Sequence, residues 1–240
     1  PLVWAVKTQL TLCAAGEARE YRTFLLRGIT GSGKTEVYLQ AIERFLELGR
    51  DAIILVPEIS LTPQTVGRFY ARFNQSIAVL HSALSQGERY DEWRRARRGE
   101  VRIVVGARSA VFAPLPNLGI IVVDEEHDSS YKQGETPRYH ARDIAVMRGL
   151  LEPCAVVLGS ATPSLESWRN AQAGKYRRAT MTRRAVDIAM PRTEIVDMRA
   201  EVAAQGTLPV FSERLVAAIR RRLAQGEQTM LFLNRRGYAP

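Results

Sequence analysis

The run Gly28-Ile29-Thr30-Gly31-Ser32-Gly33-Lys34-Thr35 constrains this chain more than any other feature. It fits G-x-x-x-x-G-K-[ST] at every fixed position. An apolar run at 23–26 precedes it. After it, residues 36–48 place Val37, Ile42, Phe45 and Leu46 on one helical face, with Gly49 past the end. A strand, a glycine-rich turn and a helix in that order form a phosphate cradle. Glycines let backbone N–H groups converge on an anion, and the helix N-terminus adds its positive end. In this cradle Lys34 is a point charge for the β- and γ-phosphates of ATP, and the Thr35 hydroxyl is a ligand for Mg²⁺. All eight residues from Gly28 to Thr35 are therefore candidate ATP contacts.

The rest of the chain repeats the same rhythm. Residues 52–56, 77–80, 101–105, 119–123 and 155–158 read as further strands. Several are apolar on consecutive positions, as strands covered on both faces are. Between them, 62–73, 86–98, 142–151 and 164–173 read as helices, and 212–223 as another. The alternation predicts an α/β fold: a parallel sheet with helices on both faces. It breaks at 175–192, an arginine-rich stretch that reads as a linker. A helix and a strand at 229–233 follow. The expected organisation is a poorly matched N-terminal segment at 1–22, an ATP-binding lobe at 23–180, and a linker with the truncated start of a second lobe at 181–240.

The formal net charge is +9. That points to a polyanionic partner, although 30 of the 34 basic residues are Arg, a skew that genomic base composition also produces. Cys13 and Cys154 stand far apart in no metal-ligand spacing, which argues against a disulfide scaffold or a zinc site within this chain. Cys154, beside the apolar run 155–158, reads as a core residue. No apolar run approaches 18 residues, so no membrane span is expected. With no signal-peptide pattern and Pro1 in place of an initiating Met, the chain reads as a fragment of a cytoplasmic protein.

A second chemical feature follows the strand at 119–123. Ile120-Ile121-Val122-Val123 runs into Asp124-Glu125-Glu126-His127. Four apolar residues then a carboxylate deliver an acid to the C-terminal edge of a sheet, where ligands of open α/β sheets bind. Asp124 is placed to hold Mg²⁺ and Glu125 to orient and deprotonate an attacking water, so Lys34, Asp124 and Glu125 form the candidate catalytic set. The bland alternative is acids that cap the next helix. His127 is a candidate link from this box to Ser160 or Thr162.

Three stretches suit a nucleic-acid backbone. Ser60 and Thr62 follow one strand and open a helix, where hydroxyls and N–H groups hold a phosphate or simply cap the helix. Arg108-Ser109 follows another strand, as a backbone contact or a solvated loop arginine. Residues 129–142 interleave Tyr131, Lys132, Arg138, Tyr139, His140 and Arg142. Bases stack on aromatic faces while cations track phosphates, so this loop suits single-stranded DNA; the alternative is a surface loop tacked down by its two tyrosines.

Residues 28–35, the acidic box and Gly159-Ser160-Ala161-Thr162-Pro163-Ser164 are similar to motifs I, II and III of superfamily 2 helicases. The runs Thr30-Gly31-Ser32-Gly33-Lys34-Thr35-Glu36-Val37-Tyr38, Leu55-Val56-Pro57-Glu58-Ile59-Ser60-Leu61-Thr62-Pro63-Gln64, Gly106-Ala107-Arg108-Ser109-Ala110-Val111-Phe112-Ala113-Pro114 and Asn234-Arg235-Arg236-Gly237-Tyr238 narrow this further. Over residues 23–240 the chain resembles the PriA family of replication-restart helicases. The resemblance implies a RecA-like lobe, the start of a second such lobe, and ATP-dependent unwinding of DNA with 3′-to-5′ polarity at stalled forks. It also implies single-strand-binding protein and primosome proteins as partners. It implies DNA contacts for Pro57, Ser60, Thr62, Gln64, Arg108, Ser109, Tyr131, Lys132, Arg138 and Tyr139, and coupling roles for His127, Ser160 and Thr162. The family's zinc-binding cysteines would lie after Pro240, and its second lobe with the arginine finger lies outside this sequence. Gln9 is the one candidate for an adenine-reading glutamine. Two other classes stay open: a nucleotide-binding module without catalysis of its own, and a phosphate-loop ATPase acting on protein or membrane transport.

Overall fold

The computed structural model describes residues 23–73, 77–184, 192–205 and 209–233. Gln9 and the run 234–238 fall outside them. The chain divides into two compact units, residues 1–188 and 189–240. The first unit is an α/β sandwich. Its strands are β1 (Thr23–Gly28), β2 (Asp51–Leu55), β3 (Ile77–Leu80), β4 (Ile103–Gly106), β5 (Leu118–Val123), β6 (Ala155–Ser160) and β7 (Tyr176–Met181). They form one seven-stranded sheet in the order β3-β4-β2-β5-β6-β1-β7, and every pairing is parallel. Between them run α1 (Lys34–Glu47), α2 (Pro63–Phe73), α3 (Gln86–Arg97), α4 (Ala141–Leu151) and α5 (Leu165–Gln172).

The continuous apolar runs are explained by the two faces they serve. Along β2, Ala52 and Ile54 face one core with Val37, Ile42, Phe45 and Phe69 of α1 and α2. Ile53 and Leu55 face the other, with Ala96 of α3 and Ala141 and Ala145 of α4. Successive side chains of a strand point to opposite faces, so a strand covered on both sides has no polar position to spend. Ile53, Ile54 and Leu55 are fully buried. Burial of each contributes about 1.5–3 kcal/mol.

The arginine-rich stretch after residue 175 departs from the expected linker. Residues 176–181 form β7, paired with β1 from Thr23↔Tyr176 to Gly28↔Met181. Arg177 and Arg178 point to solvent while Ala179 and Met181 pack on the core. An edge strand guarded by outward charges looks in sequence like a loop.

In the second unit the described helices are α6 (Met198–Gln205) and α7 (Glu213–Ala224). Ser212 caps α7 by accepting the Leu215 N–H at 3.1 Å. The strand expected at 229–233 is not formed. Met230 and Phe232 are almost fully exposed, and a strand needs neighbours to satisfy its N–H and C=O groups.

Candidate nucleotide site

The phosphate loop owes its shape to backbone conformations that side chains rarely adopt. Gly31 and Gly33 sit at φ 78° and 88°, where a Cβ would be strained. Between them the Ser32 N–H donates to Ile29 O at 3.0 Å, closing the turn. Gly28 is glycine for lack of room: a Cβ would lie 2.5 Å from Ser32 Oγ and 2.8 Å from Lys34 Cγ. Gly33 precedes α1 without a side-chain cap, so the first N–H groups of α1 are left for another acceptor. Among the described residues, the buried Ser32 Oγ has no hydrogen-bond partner. Unclaimed N–H groups and an orphaned hydroxyl around a cation fit a bound phosphate chain. Ile29 and Thr30 form the exposed crest of the loop, while Thr35 is half-buried beneath it. A cleft of about 680 Å³ opens over the loop, flanked by Leu39 of α1 and Arg68 of α2.

The acidic box arrives from β5. Its strand is not a neighbour of β1; β6 lies between them. The two loops nevertheless meet at one sheet edge. Lys34, buried, donates from Nζ to Gly28 O at 3.1 Å and lies 3.5 Å from Glu125 Oε1. Tyr38, one turn further along α1, donates to Asp124 Oδ1 at 3.0 Å. Glu125 takes φ 44°, a left-handed conformation costing a non-glycine residue about 1–3 kcal/mol. Burial, reinforced by the neighbouring Glu125 charge, raises the Asp124 carboxyl above the ordinary aspartate range; the Tyr38 hydrogen bond opposes that rise. A cation between these carboxylates would reverse the effect, so the donor set fits Mg²⁺ held by Asp124 and Thr35.

The strand between them carries the third component. His127 shares a hydrogen bond through Nδ1 with Ser160 Oγ at 2.8 Å, and its Nε2 lies 3.5 Å from Thr162 Oγ1. The same Nδ1 is 3.7 Å from Glu125 Oε2. The expected grouping of His127, Ser160 and Thr162 is thus present geometrically, in contact with Glu125. Sequence reasoning passed over Glu126. It is fully buried, accepts the Ser164 N–H at 2.7 Å and the Ser167 hydroxyl at 2.8 Å, and pairs with Arg142 at 3.2 Å. Tyr38 was also missed as part of the site. Its spacing of four from Lys34 puts both on one face of α1, and that was the available signal. Nothing in a run of three acids announces which one turns inward.

The expected nucleic-acid contacts are less uniform. Ser60, Thr62 and Gln64 are exposed at the start of α2. The Thr62 hydroxyl also accepts the Thr65 N–H at 3.2 Å, so it serves as a cap. Pro57 is buried, and its carbonyl accepts the Ser60 N–H at 2.8 Å. Ser109 is exposed. Arg108 donates to the carbonyls of Ser130 and Lys132 at 3.2 and 2.9 Å, tying its segment to the aromatic loop. Lys132 and Arg138 are exposed on that loop, and Tyr139 is half-buried, edge-on to Phe112 at 5.1 Å. Two expectations are corrected. Tyr131 has no exposed surface, and its hydroxyl donates to Asp124 O at 2.7 Å. It cannot offer a face to a base; it tacks the loop to the acidic box. Arg142 is likewise buried in its pair with Glu126 and does not track phosphates.

Comparison with known proteins bears on this geometry. Residues 8–171 match the family model described as DEAD/DEAH box helicase. Replication restart protein PriA of Bacillus subtilis is 55% identical over 223 residues, covering 93% of this chain and 28% of that protein. The Haemophilus influenzae protein of the same name is 49% identical over 92% of this chain and 30% of its own length. The chain therefore spans about three tenths of these relatives. Among solved structures, RecG bound to a three-way DNA junction aligns with TM-score 0.56 at 21% identity, over 92% of this chain and 28% of that one. The Pyrococcus furiosus Hef helicase domain aligns with TM-score 0.54 at 19% identity, over 92% of this chain and 47% of that one. Both support the RecA-like fold alone. The family model covers well over half of the sequence and spans the phosphate loop, the acidic box and the segment after β6, so the chain belongs to the DEAD/DEAH box helicase family.

Proposed function

We propose that this chain is the ATP-binding lobe of a replication-restart DNA helicase motor. Helicases of this kind work with a nucleotide and Mg²⁺. The observation that carries the reading is the 3.5 Å approach of Lys34 to Glu125 across the sheet edge, between a loop built for phosphates and a box built of carboxylates. In this reading residues 28–35 grip the triphosphate, with Lys34 on the β- and γ-phosphates. Thr35 and Asp124 would hold Mg²⁺, whose charge would stabilise the negative charge of the phosphates. Glu125 orients the attacking water and takes its proton. His127 touches both Glu125 and the Ser160–Thr162 segment, which supports a role in passing the state of the nucleotide to the strand behind it. Ser60, Thr62, Gln64, Ser109, Lys132, Arg138 and Tyr139 form the DNA-facing surface. Pro57 and Arg108 shape it from beneath.

The likeness to PriA proteins supports DNA, single-stranded and forked, as the substrate. Single-strand-binding protein and primosome proteins are the partners proposed for the longer protein, and zinc is proposed for it alone. The test is ATPase activity with and without single-stranded DNA. Stimulation is expected. Glu125→Gln is expected to keep ATP binding and lower hydrolysis by about 10²–10⁴-fold; normal turnover in that variant would remove Glu125 from the mechanism. The partial coverage of its relatives favours a related reading, in which this chain binds nucleotide but turns it over slowly alone. An arginine contributed by a second lobe accounts for about 10³–10⁵ in rate, and comparison with a longer protein containing that lobe measures the difference. A transport ATPase, by contrast, would show no DNA stimulation.

A further inference from the structure

Asp124 is held asymmetrically. Its Oδ1 accepts the Tyr38 hydroxyl at 3.0 Å and the Glu125 N–H at 3.1 Å. Among the described residues, Oδ2 has no protein hydrogen bond. The carboxylate is thus pinned by one oxygen and presents the other. Tyr38 is the side chain that does the pinning, and its own position is over-determined. It lies on α1 four residues after Lys34, with only 1% of its surface exposed. Its hydroxyl sits over Gly159 of β6, where a Cβ would come within 1.6 Å of the hydroxyl oxygen. Any residue but glycine at 159 would push the phenol away from Asp124. One tyrosine therefore joins the helix of the phosphate loop, the acidic box of β5 and the strand between them.

We infer that Tyr38 is a positioning residue for the metal site, with the bare backbone of Gly159 as its seat: it fixes Oδ1 so that Oδ2 faces Mg²⁺. This rests on the nucleotide–Mg²⁺ reading above. Without the hydroxyl, the Asp124 carboxylate is free to turn and share its oxygens between the metal and the Glu125 N–H. Groups that orient a metal ligand from behind typically govern about 10–100-fold in metal affinity.

The test is titration of ADP into the full chain, with and without Mg²⁺, for the wild type, Tyr38→Phe, Gly159→Ala and Asp124→Asn, with circular dichroism melting as the check on folding. Tyr38→Phe keeps the ring and removes only the hydroxyl. Wild type is expected to bind ADP more tightly with Mg²⁺. In Tyr38→Phe that tightening is expected to shrink by about 10-fold or more, while metal-free affinity is unchanged. Gly159→Ala, which leaves the tyrosine in the sequence but displaces its hydroxyl, is expected to show the same metal-specific loss. If wild type tightens and Tyr38→Phe tightens equally, the inference is overturned. It is also overturned if affinity falls by the same factor with and without Mg²⁺, because that reports a disturbed fold. Failure of the underlying reading looks different: wild type and Asp124→Asn would then respond identically to Mg²⁺.

Discussion

Two buried ionisable groups, Glu126 and Cys154, put strong demands on the fold. Glu126 is a carboxylate with no exposed surface, and Arg142, the Ser164 N–H and the Ser167 hydroxyl all converge on it. Removing one member of a buried ion pair strands the other, at a cost of about 3–5 kcal/mol. Glu126→Ala is therefore expected to lower unfolding free energy by that amount in urea denaturation, and Arg142→Met in the same background to recover part of it. Cys154 is the second. Burial pushes its thiol from an ordinary value of 9.0 up to about 12. The unfolded chain then releases this proton first as pH rises. This group leaves the stability untouched below pH 9 and lowers it between 9 and 12 by about 1.4 kcal/mol per pH unit. A Cys154→Ala variant is expected to show a flatter decline of stability between pH 8 and 10.5 than the wild type. Equal slopes would mean the thiol is better solvated than its burial implies.

Elements with a strong local pattern were legible from sequence, and those defined by what they rest on were not. β2 and β5 declare themselves because both faces are covered and the runs 52–55 and 118–123 carry no polar side chain. The phosphate loop declares itself because only glycine fits at Gly28, Gly31 and Gly33. β7 was hidden: its exposed arginines are those of a loop, and only pairing with β1 makes it a strand. Residues 229–233 erred in the opposite sense, with the composition of a strand but no pairing partner among the described residues. The aromatic loop is the instructive middle case. Its composition suggests base stacking throughout, yet Tyr131 is a peg driven into the core and its hydroxyl holds the Asp124 carbonyl. Composition does not say which ring of a loop points inward; here contact with the acidic box decides it. Tyr131→Phe is expected to cost about 1 kcal/mol for the lost hydrogen bond, and Tyr131→Ala about 3–5 kcal/mol for the cavity, both read from chemical denaturation. If Tyr131→Phe leaves stability unchanged but weakens coupling of DNA binding to ATPase, the peg transmits rather than merely anchors.

At the scale of the whole molecule the question is whether the charge of +9 acts as a diffuse field or through particular contacts. Many arginines are already committed within the chain: Arg102 to Asp51, Arg148 to Glu152, Arg95 to Glu92, and Arg108 to two carbonyls. Lys132 and Arg138 are exposed on the aromatic loop, and among the described residues neither side chain is in such a pair. Counterion release distinguishes the two cases. Each phosphate neutralised on a single strand contributes about −0.7 to the slope of log K against log salt concentration. If these two side chains make direct contacts, Lys132→Ala with Arg138→Ala is expected to flatten the slope for single-stranded DNA by about 1.4. Arg94→Gln serves as the comparison. It removes the same unit charge from α3, where Arg94 lies over the Tyr90 ring at 5.5 Å, and is expected to leave the slope unchanged. A diffuse field would make the variants differ only in proportion to charge removed, with Arg94→Gln shifting binding half as much as the double variant. Fluorescence anisotropy of a labelled oligonucleotide at several salt concentrations separates the two outcomes. The contact model follows from position: Lys132 is the residue after Tyr131, whose hydroxyl donates to the backbone carbonyl of Asp124, the residue proposed to hold Mg²⁺.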